Sequence, residues 1–247
     1  MLSEERLEKI VELVSQRSSI TNQELTRLLG ASESTIRRDL TTLAAEGRLL
    51  KVHGGALALT AAVKTRDEDI YSRRPLQAEE KRRIGKYAAG LVRDDDLVFL
   101  DAGSSTEYLI EFLPDTRAVF VTNAVGHAKT LSQRGLTVYL LGGRMKPVTE
   151  AIVGSEAVLS LNKYNFSKGF FGTNGVSLES GLTTPDIDEA AVKEHAAARS
   201  REKYVLCDSS KFDQIAPISF ARLHDVRILT DKAPYAYRKY NILEVAK

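Results

Sequence analysis

The chain has 247 residues, 43% hydrophobic and 28% charged, with a formal net charge of +2. That length suits one small and one medium domain, and the balance is that of an ordinary globular protein, which excludes disorder and low complexity. A net charge this mild does not argue for nucleic acid by itself, so any such site has to come from local clustering. No apolar run approaches the roughly 18 residues of a membrane span, and the charged start MLSEERLEKI has no signal-peptide core. The one cysteine, Cys207, excludes an intrachain disulfide and fits a cytoplasmic protein. His53, His127, His195 and His224 have no cysteine or carboxylate at metal-ligand spacing, and neither a metal nor a cofactor is expected.

Residues 3–15 read as an amphipathic helix, with Leu7, Ile10, Val11 and Val14 at spacings of three and four. The pattern breaks at SQRSS. In TNQELTRLLG, Thr21 as N-cap and Glu24 three residues on form a capping box, Leu25, Leu28 and Leu29 form the apolar stripe, and Gly30 closes the helix. A third helix is expected over about Glu33–Glu46. Ile36, Leu40 and Leu43 share one face, and Ser34, Arg38 and Thr41 lie opposite, flanked by Thr35, Arg37 and Thr42. Two helices across so short a turn make a helix-turn-helix, whose second helix enters the major groove. Arginine's planar fork suits guanine edges and phosphate. Hydroxyls at a helix start, here Ser32, Ser34 and Thr35 with Thr21 on the preceding helix, suit phosphate. RLLKVHGG then reads as a short hairpin or wing closed by Gly54–Gly55, along which Arg48, Lys51 and His53 supply further cations.

Residues 56–80 change character and read as a linker leading into a helix at about 77–92, with Ile84, Tyr87, Ala88 and Leu91 as its buried stripe. From residue 97 short apolar runs alternate with helical stretches. Strands are expected at 97–103, 118–124, 136–143, 168–176, 203–210 and 226–231. Helices are expected at SSTEYLIEFL, VGHAKTLSQ, AIVGSEAVLSL and DIDEAAVKEHAAARS, the last with Thr184 as N-cap and Pro185 at its first position. This alternation predicts a mainly parallel α/β sheet. Polar residues gather at strand C-terminal ends, where ligands bind in open parallel sheets. They are Asp101, Gly103, Ser104, Ser105 and Thr106, then Thr122 and Asn123, Gly142 and Gly143, Gly175, and Asp208 with Lys211. GSST opening a helix offers amides and hydroxyls to a phosphate, and Lys193 and Lys211 add charge. Taken singly, each of these is as readily a cap or a turn; their repetition at equivalent strand ends favours a common pocket for a small phosphorylated metabolite.

SESTIRRDLTTLAAEGRLLKVHGGA resembles the signature of the winged helix-turn-helix of the DeoR family of bacterial transcription regulators. LDAGSSTEYL, VTNA, LLGG, FFGTNGVSLESGLTTPDIDEAAVK and CDSSKF are similar to that family's sensor domain, which is related in fold to ribose-5-phosphate isomerase. Ser104 and Ser105 stand where the family commonly has threonines. The resemblance implies a winged helix-turn-helix at 1–57, a linker at 58–76 and an α/β effector-sensing domain at 77–247. It implies a repressor that binds operator DNA under the control of a phosphorylated sugar; because one small module reads only a half-site, a homo-oligomer, dimer or tetramer, is expected. GLTTPDIDEAAVK most resembles repressors of fructose- or lactose-type phosphotransferase operons, which makes fructose 1-phosphate or tagatose 6-phosphate the expected effector. Two other readings stand beside it. One is a sugar-phosphate isomerase with an added DNA-binding domain, using Asp101, Asp208 and Lys193. The other is a redox sensor acting through Cys207.

Overall fold

The computed structural model describes residues 3–17, 19–52, 54–58 and 75–245. The chain forms two compact units, and each is described by itself.

The N-terminal unit holds α1 (Ser3–Arg17), β1 (Ser19–Thr21), α2 (Asn22–Leu29), α3 (Glu33–Ala45), β2 (Leu50–Val52) and β3 (Gly55–Leu57). The capping box at α2 forms in full, and Gly30 closes that helix in the left-handed region at φ 62°. Ile10, Val14, Leu25, Ile36, Leu40 and Leu43 meet in one core, so the expected apolar triad of α3 faces inward. A bond of 2.6 Å from Arg6 to the buried Asp39 ties α1 to α3. The wing exists, and it carries a strand that periodicity could not reveal. β1 has three residues and pairs antiparallel with β3, giving the order β1–β3–β2. Gly55 permits this: a Cβ there would collide with the Ile20 carbonyl on β1.

The second unit holds α4 (Ala78–Ala89), β4 (Leu97–Leu100), α5 (Ser104–Glu111), β5 (Val119–Thr122), α6 (Val125–Gln133), β6 (Thr137–Leu140), β7 (Arg144–Lys146) and β8 (Ala151–Val153). It continues with α7 (Ser155–Leu161), β9 (Phe166–Gly172), β10 (Gly175–Ser177), β11 (Gly181–Thr184), α8 (Ile187–Ala198), β12 (Ser200–Leu206), β13 (Ile218–Ala221), β14 (Arg227–Thr230) and β15 (Ile242–Glu244). Seven strands make one parallel sheet in the order β15–β14–β12–β9–β4–β5–β6. The chain order reverses between β4 and β9, and in open parallel sheets ligands bind at the C-terminal edge of such a switch point. On one side of the sheet Val98, Leu100, Phe120, Phe170, Tyr204 and Leu206 pack under α4 and α5. A small antiparallel sheet, β10–β11–β13, and the β7–β8 hairpin are added to this frame.

Four expectations need correction. On α2, Leu28 of the expected stripe is exposed, and Leu25 is its fully buried member. AIVGSEAVLSL is not one helix: Ala151–Val153 is strand β8, buried throughout, and the helix begins only at Ser155. A short, wholly buried apolar run has the same pattern in either state. The cap of α8 is Asp186, whose carboxylate accepts from the Glu189 amide at 2.9 Å; Thr184 is instead the buried end of β11, and Pro185 precedes the cap. On α4, Tyr87 is 38% exposed, and the inward face is Lys81, Ile84, Gly85, Ala88 and Ala89. The linker expected at 58–76 lies mostly outside the described residues.

At the opposite edge of the sheet, Asp96 joins the buried Lys168 at 2.7 Å and accepts from the Ser167 hydroxyl and the Arg93 amide. Burial alone would raise its carboxyl; the bonds from Lys168, Ser167 and Arg93 overrule that and hold it below the usual carboxylate range. A depressed folded value contributes stability above the unfolded pKa, about 3.9, and that stability is lost as pH falls through the folded value. Asp96→Asn should therefore lower the melting temperature most at pH 5–7, with the gap to wild type closing below about pH 4. Thermal melts across that range check this, and a constant gap would contradict it.

Candidate functional sites

On α3, Ser32 caps the helix and its hydroxyl lies 3.0 Å from that of Ser34 and 2.8 Å from that of Thr35. Arg37 and Arg38 separate clearly. Arg37 bonds Glu33, one turn back, at 2.6 Å. Arg38 is exposed and makes no ion pair among the described residues. Thr41 donates to the Arg37 carbonyl at 2.7 Å and accepts from the Lys51 ammonium of β2 at 2.6 Å. The wing cation thus lies against the outward face of α3, and Ser34, Arg38, Thr41 and Lys51 form one polar surface. Two expected contacts are engaged within the fold: the Thr21 hydroxyl in the capping box, and Arg48 in a two-pronged bond to Glu8 on α1 at 2.8 and 2.6 Å. His53 lies outside the described residues.

At the switch point the buried Asp101 follows β4. Its carboxylate accepts from the Gly172 amide, at the end of β9, at 3.0 Å and pairs with the buried Lys193 of α8. Lys193 also donates to the Gly172 carbonyl at 3.3 Å. One ion pair therefore joins β4, β9 and α8 at the switch point. Gly103 leads into α5, whose start has no side-chain cap. Beside that start lies a residue that sequence reasoning missed. Lys81 of α4, 3% exposed, donates to the Ser104 hydroxyl at 3.1 Å. Its spacing from Ile84 and Ala88 on α4's apolar stripe was the available signal, but an inward lysine is rarely read as such.

The other expected residues divide. Thr106 donates to the carbonyls of Asp101 and Gly103, and Thr122 to that of Leu100 at 2.6 Å. Asn123 accepts from the Ala102 amide at 3.0 Å. These three hold the Asp101–Ser104 turn in shape, and Ser105, half-buried, follows in the first turn of α5. Gly142 and Gly143 are exposed beyond β6, at the far margin of the sheet, and are not joined by hydrogen bonds to the Asp101 cluster. Gly175 opens β10 against the Gln214 carbonyl. Asp208 follows β12, accepts from the Ser210 amide at 3.1 Å and from its hydroxyl, and starts the short turn that carries Lys211. Cys207 is buried, and burial, then the neighbouring Asp208 charge, push its thiol far above the usual range. A thiol kept protonated and away from solvent is unsuited to sensing oxidants. Among the described residues no group of three or more His, Cys, Asp or Glu could hold a metal, and no helix is long and apolar enough to cross a membrane.

A winged helix-turn-helix with a polar, cation-bearing outward face on α3, carried in one chain with a parallel α/β domain, is the arrangement of a DNA-binding regulator. Residues 6–62 match the DeoR-like helix-turn-helix domain and residues 76–232 the DeoR C terminal sensor domain. The chain is 39% identical, over 100% of both chains, to a protein of Bacillus subtilis named as the uncharacterized HTH-type transcriptional regulator FruR. It is 37% identical to the lactose phosphotransferase system repressor of Staphylococcus epidermidis, over 92% of this chain and 91% of the relative. The chain belongs to the DeoR family of transcription regulators, and it is a regulator rather than an isomerase. Ribose 5-phosphate isomerase A of Methanocaldococcus jannaschii is a distant likeness, 17% identical over 55% of each chain with a TM-score of 0.42, too low to carry an argument.

The contrast between Arg38, which faces outward, and Arg48, which is engaged by Glu8, can be tested on DNA selected by the wild-type chain from a random pool. Arg38→Ala should cut specific affinity roughly 5- to 150-fold, the worth of one base-reading fork, and leave the melting temperature unchanged. Arg48→Ala should cost on the order of 1–2 kcal/mol of N-terminal unit stability through loss of the Glu8 pair. Gel-shift titrations and melts check both, and unchanged specific affinity for Arg38→Ala would contradict the docking face.

Proposed function

We propose that the chain represses an operon for sugar uptake and catabolism of the fructose- or lactose-type phosphotransferase class, and that a phosphorylated sugar releases it from the operator. The names of its relatives support the operon class. In this reading α3 lies in the major groove, with Ser34, Arg38 and Thr41 toward the bases and Lys51, Ser32, Thr35 and Arg37 toward phosphate. Each chain reads a half-site, so the working form is a homo-oligomer, dimer or tetramer, in the cytoplasm with its DNA.

The observation that carries the effector class is Lys81. Lys81 is buried and donates to the Ser104 hydroxyl at the start of α5, a helix start with no side-chain cap. The free amides at the start of α5, the hydroxyls of Ser104 and Ser105, and the Lys81 ammonium together suit a phosphoryl group. The Asp101–Lys193 pair then faces the sugar, its carboxylate toward hydroxyls. A ligand controls the regulator only through different affinity for its DNA-bound and released forms.

Fructose 1-phosphate or tagatose 6-phosphate should raise the melting temperature of the full chain and release it from selected DNA in a gel shift, whereas the unphosphorylated sugars should do neither. Lys81→Met should weaken the sugar phosphate at least tenfold and leave DNA affinity without effector unchanged. An equal response to phosphorylated and free sugars, or to neither, would contradict the reading.

A further inference from the structure

We propose that β6, the margin of the parallel sheet, is where a second copy of this chain docks, strand against strand; this rests on the half-site reading above, which calls for a homo-oligomer. β6 (Thr137–Leu140) ends the sheet order, and among the described residues no strand pairs with its outer side. The Leu141 amide donates inward, to the Thr122 carbonyl of β5, at 2.9 Å. Backbone groups alternate in direction along a strand, so Thr137 and Tyr139 face β5 as Leu141 does. The amides and carbonyls of Val138 and Leu140 then point outward. An edge that stays single is usually guarded by a charge or a proline. β6 has neither, and its Tyr139 and Leu140 are 52% and 44% exposed. β15, at the other margin, carries Glu244.

The strand suits a second copy of itself. A two-fold axis at Tyr139 sets β6 antiparallel to its own copy, and Val138 then exchanges both backbone bonds with Leu140 of the partner subunit. The strand is uncharged, so this pairing brings no like charges together along it. Gly135 on one side of the strand meets Gly143 on the other, and no side chain stands in the way at either end. The arginines just beyond them are already engaged. Arg134 donates to the Ile110 and Leu113 carbonyls, and Arg144 pairs with Asp188 at 2.6 Å. The apolar margin also runs on past the strand. β7 follows after Gly142 and Gly143 and pairs only with β8 among the described residues; it exposes Met145, and the turn after it exposes Val148. Tyr139, Leu140, Met145 and Val148 from each copy extend the contact toward the roughly 500 Å² per chain that a specific interface takes.

The test uses the full chain and its assembly in solution. In this pairing Tyr139 faces its own copy across a pair without hydrogen bonds, with Cα atoms about 4.5 Å apart, within reach of a disulfide. Tyr139→Cys should therefore cross-link into dimers under mild oxidation, while the native Cys207, being buried, stays out of the reaction. Thr137→Cys, on the same face, leaves its two Cα atoms about 14 Å apart, and should not cross-link. Leu140→Pro removes an outward amide and costs the sheet no bond of its own. Sedimentation should show its assembly halved, from tetramer to dimer or from dimer to monomer, with its circular dichroism unchanged. Failure of Tyr139→Cys to cross-link faster than Thr137→Cys, or full assembly of a folded Leu140→Pro, would overturn the docking surface with the half-site reading intact. A wild type that is monomeric both free and on selected DNA would overturn both.

Discussion

The proposed effector site depends on one close approach, the meeting of α4 and α5 at Gly85. A Cβ at Gly85 would lie 2.7 Å from the Tyr108 carbonyl carbon and 2.8 Å from the Leu109 amide nitrogen, both backbone atoms of α5. The helices therefore touch backbone to backbone. Four residues earlier on each, Lys81 lies beside Ser104. A larger residue at 85 would push α4 away and carry the Lys81 ammonium off the start of α5. Forcing a methyl group into such a contact costs about 1–3 kcal/mol. The Asp101–Lys193 pair does the corresponding work on the other side of the sheet, joining β4, β9 and α8 where the strand order reverses.

The N-terminal unit rests on a similar constraint. Ile36, Leu40 and Leu43 fix the rotation of α3, and the part-buried Arg6–Asp39 pair fixes its position against α1. Gly55 lets β3 run close to β1, and the wing then delivers Lys51 to Thr41. Arg38 is left pointing outward because of what the opposite face of its helix buries. Arg37, one residue away, is drawn to Glu33 instead.

Much of this was legible in the sequence wherever a local rule applied. The α2 capping box, the turn at Gly30, the α3 triad and the alternation that gives a parallel sheet are all short-range patterns. The misreadings share a cause. Ala151–Val153 is a strand because Arg144–Lys146 pairs with it, and β1 is a strand because the wing does. Pairing partners supplied from elsewhere in the chain leave no periodicity. The α8 cap was misplaced by two residues because Thr184-Pro185 and Asp186 offer rival starts, and only the burial of Thr184 in β11 decides between them. At the site, Asp101 and Lys193 were legible separately as a strand-end acid and a helical lysine, but their pairing was not. Lys81 was hidden by its place on an apolar face, and the engagement of Arg48 with Glu8 is a contact 40 residues long.

The central claim is that the phosphoryl group of the effector rests on the start of α5. The most direct measurement is a two-dimensional amide NMR titration of the full, isotope-labelled chain with fructose 1-phosphate and tagatose 6-phosphate. The account predicts that the amides of Ser104, Ser105 and Thr106 move furthest, at phosphorylated-sugar concentrations where the unphosphorylated sugar moves none of them. Saturable shifts elsewhere in the sensing domain, with those three amides unmoved, would contradict it.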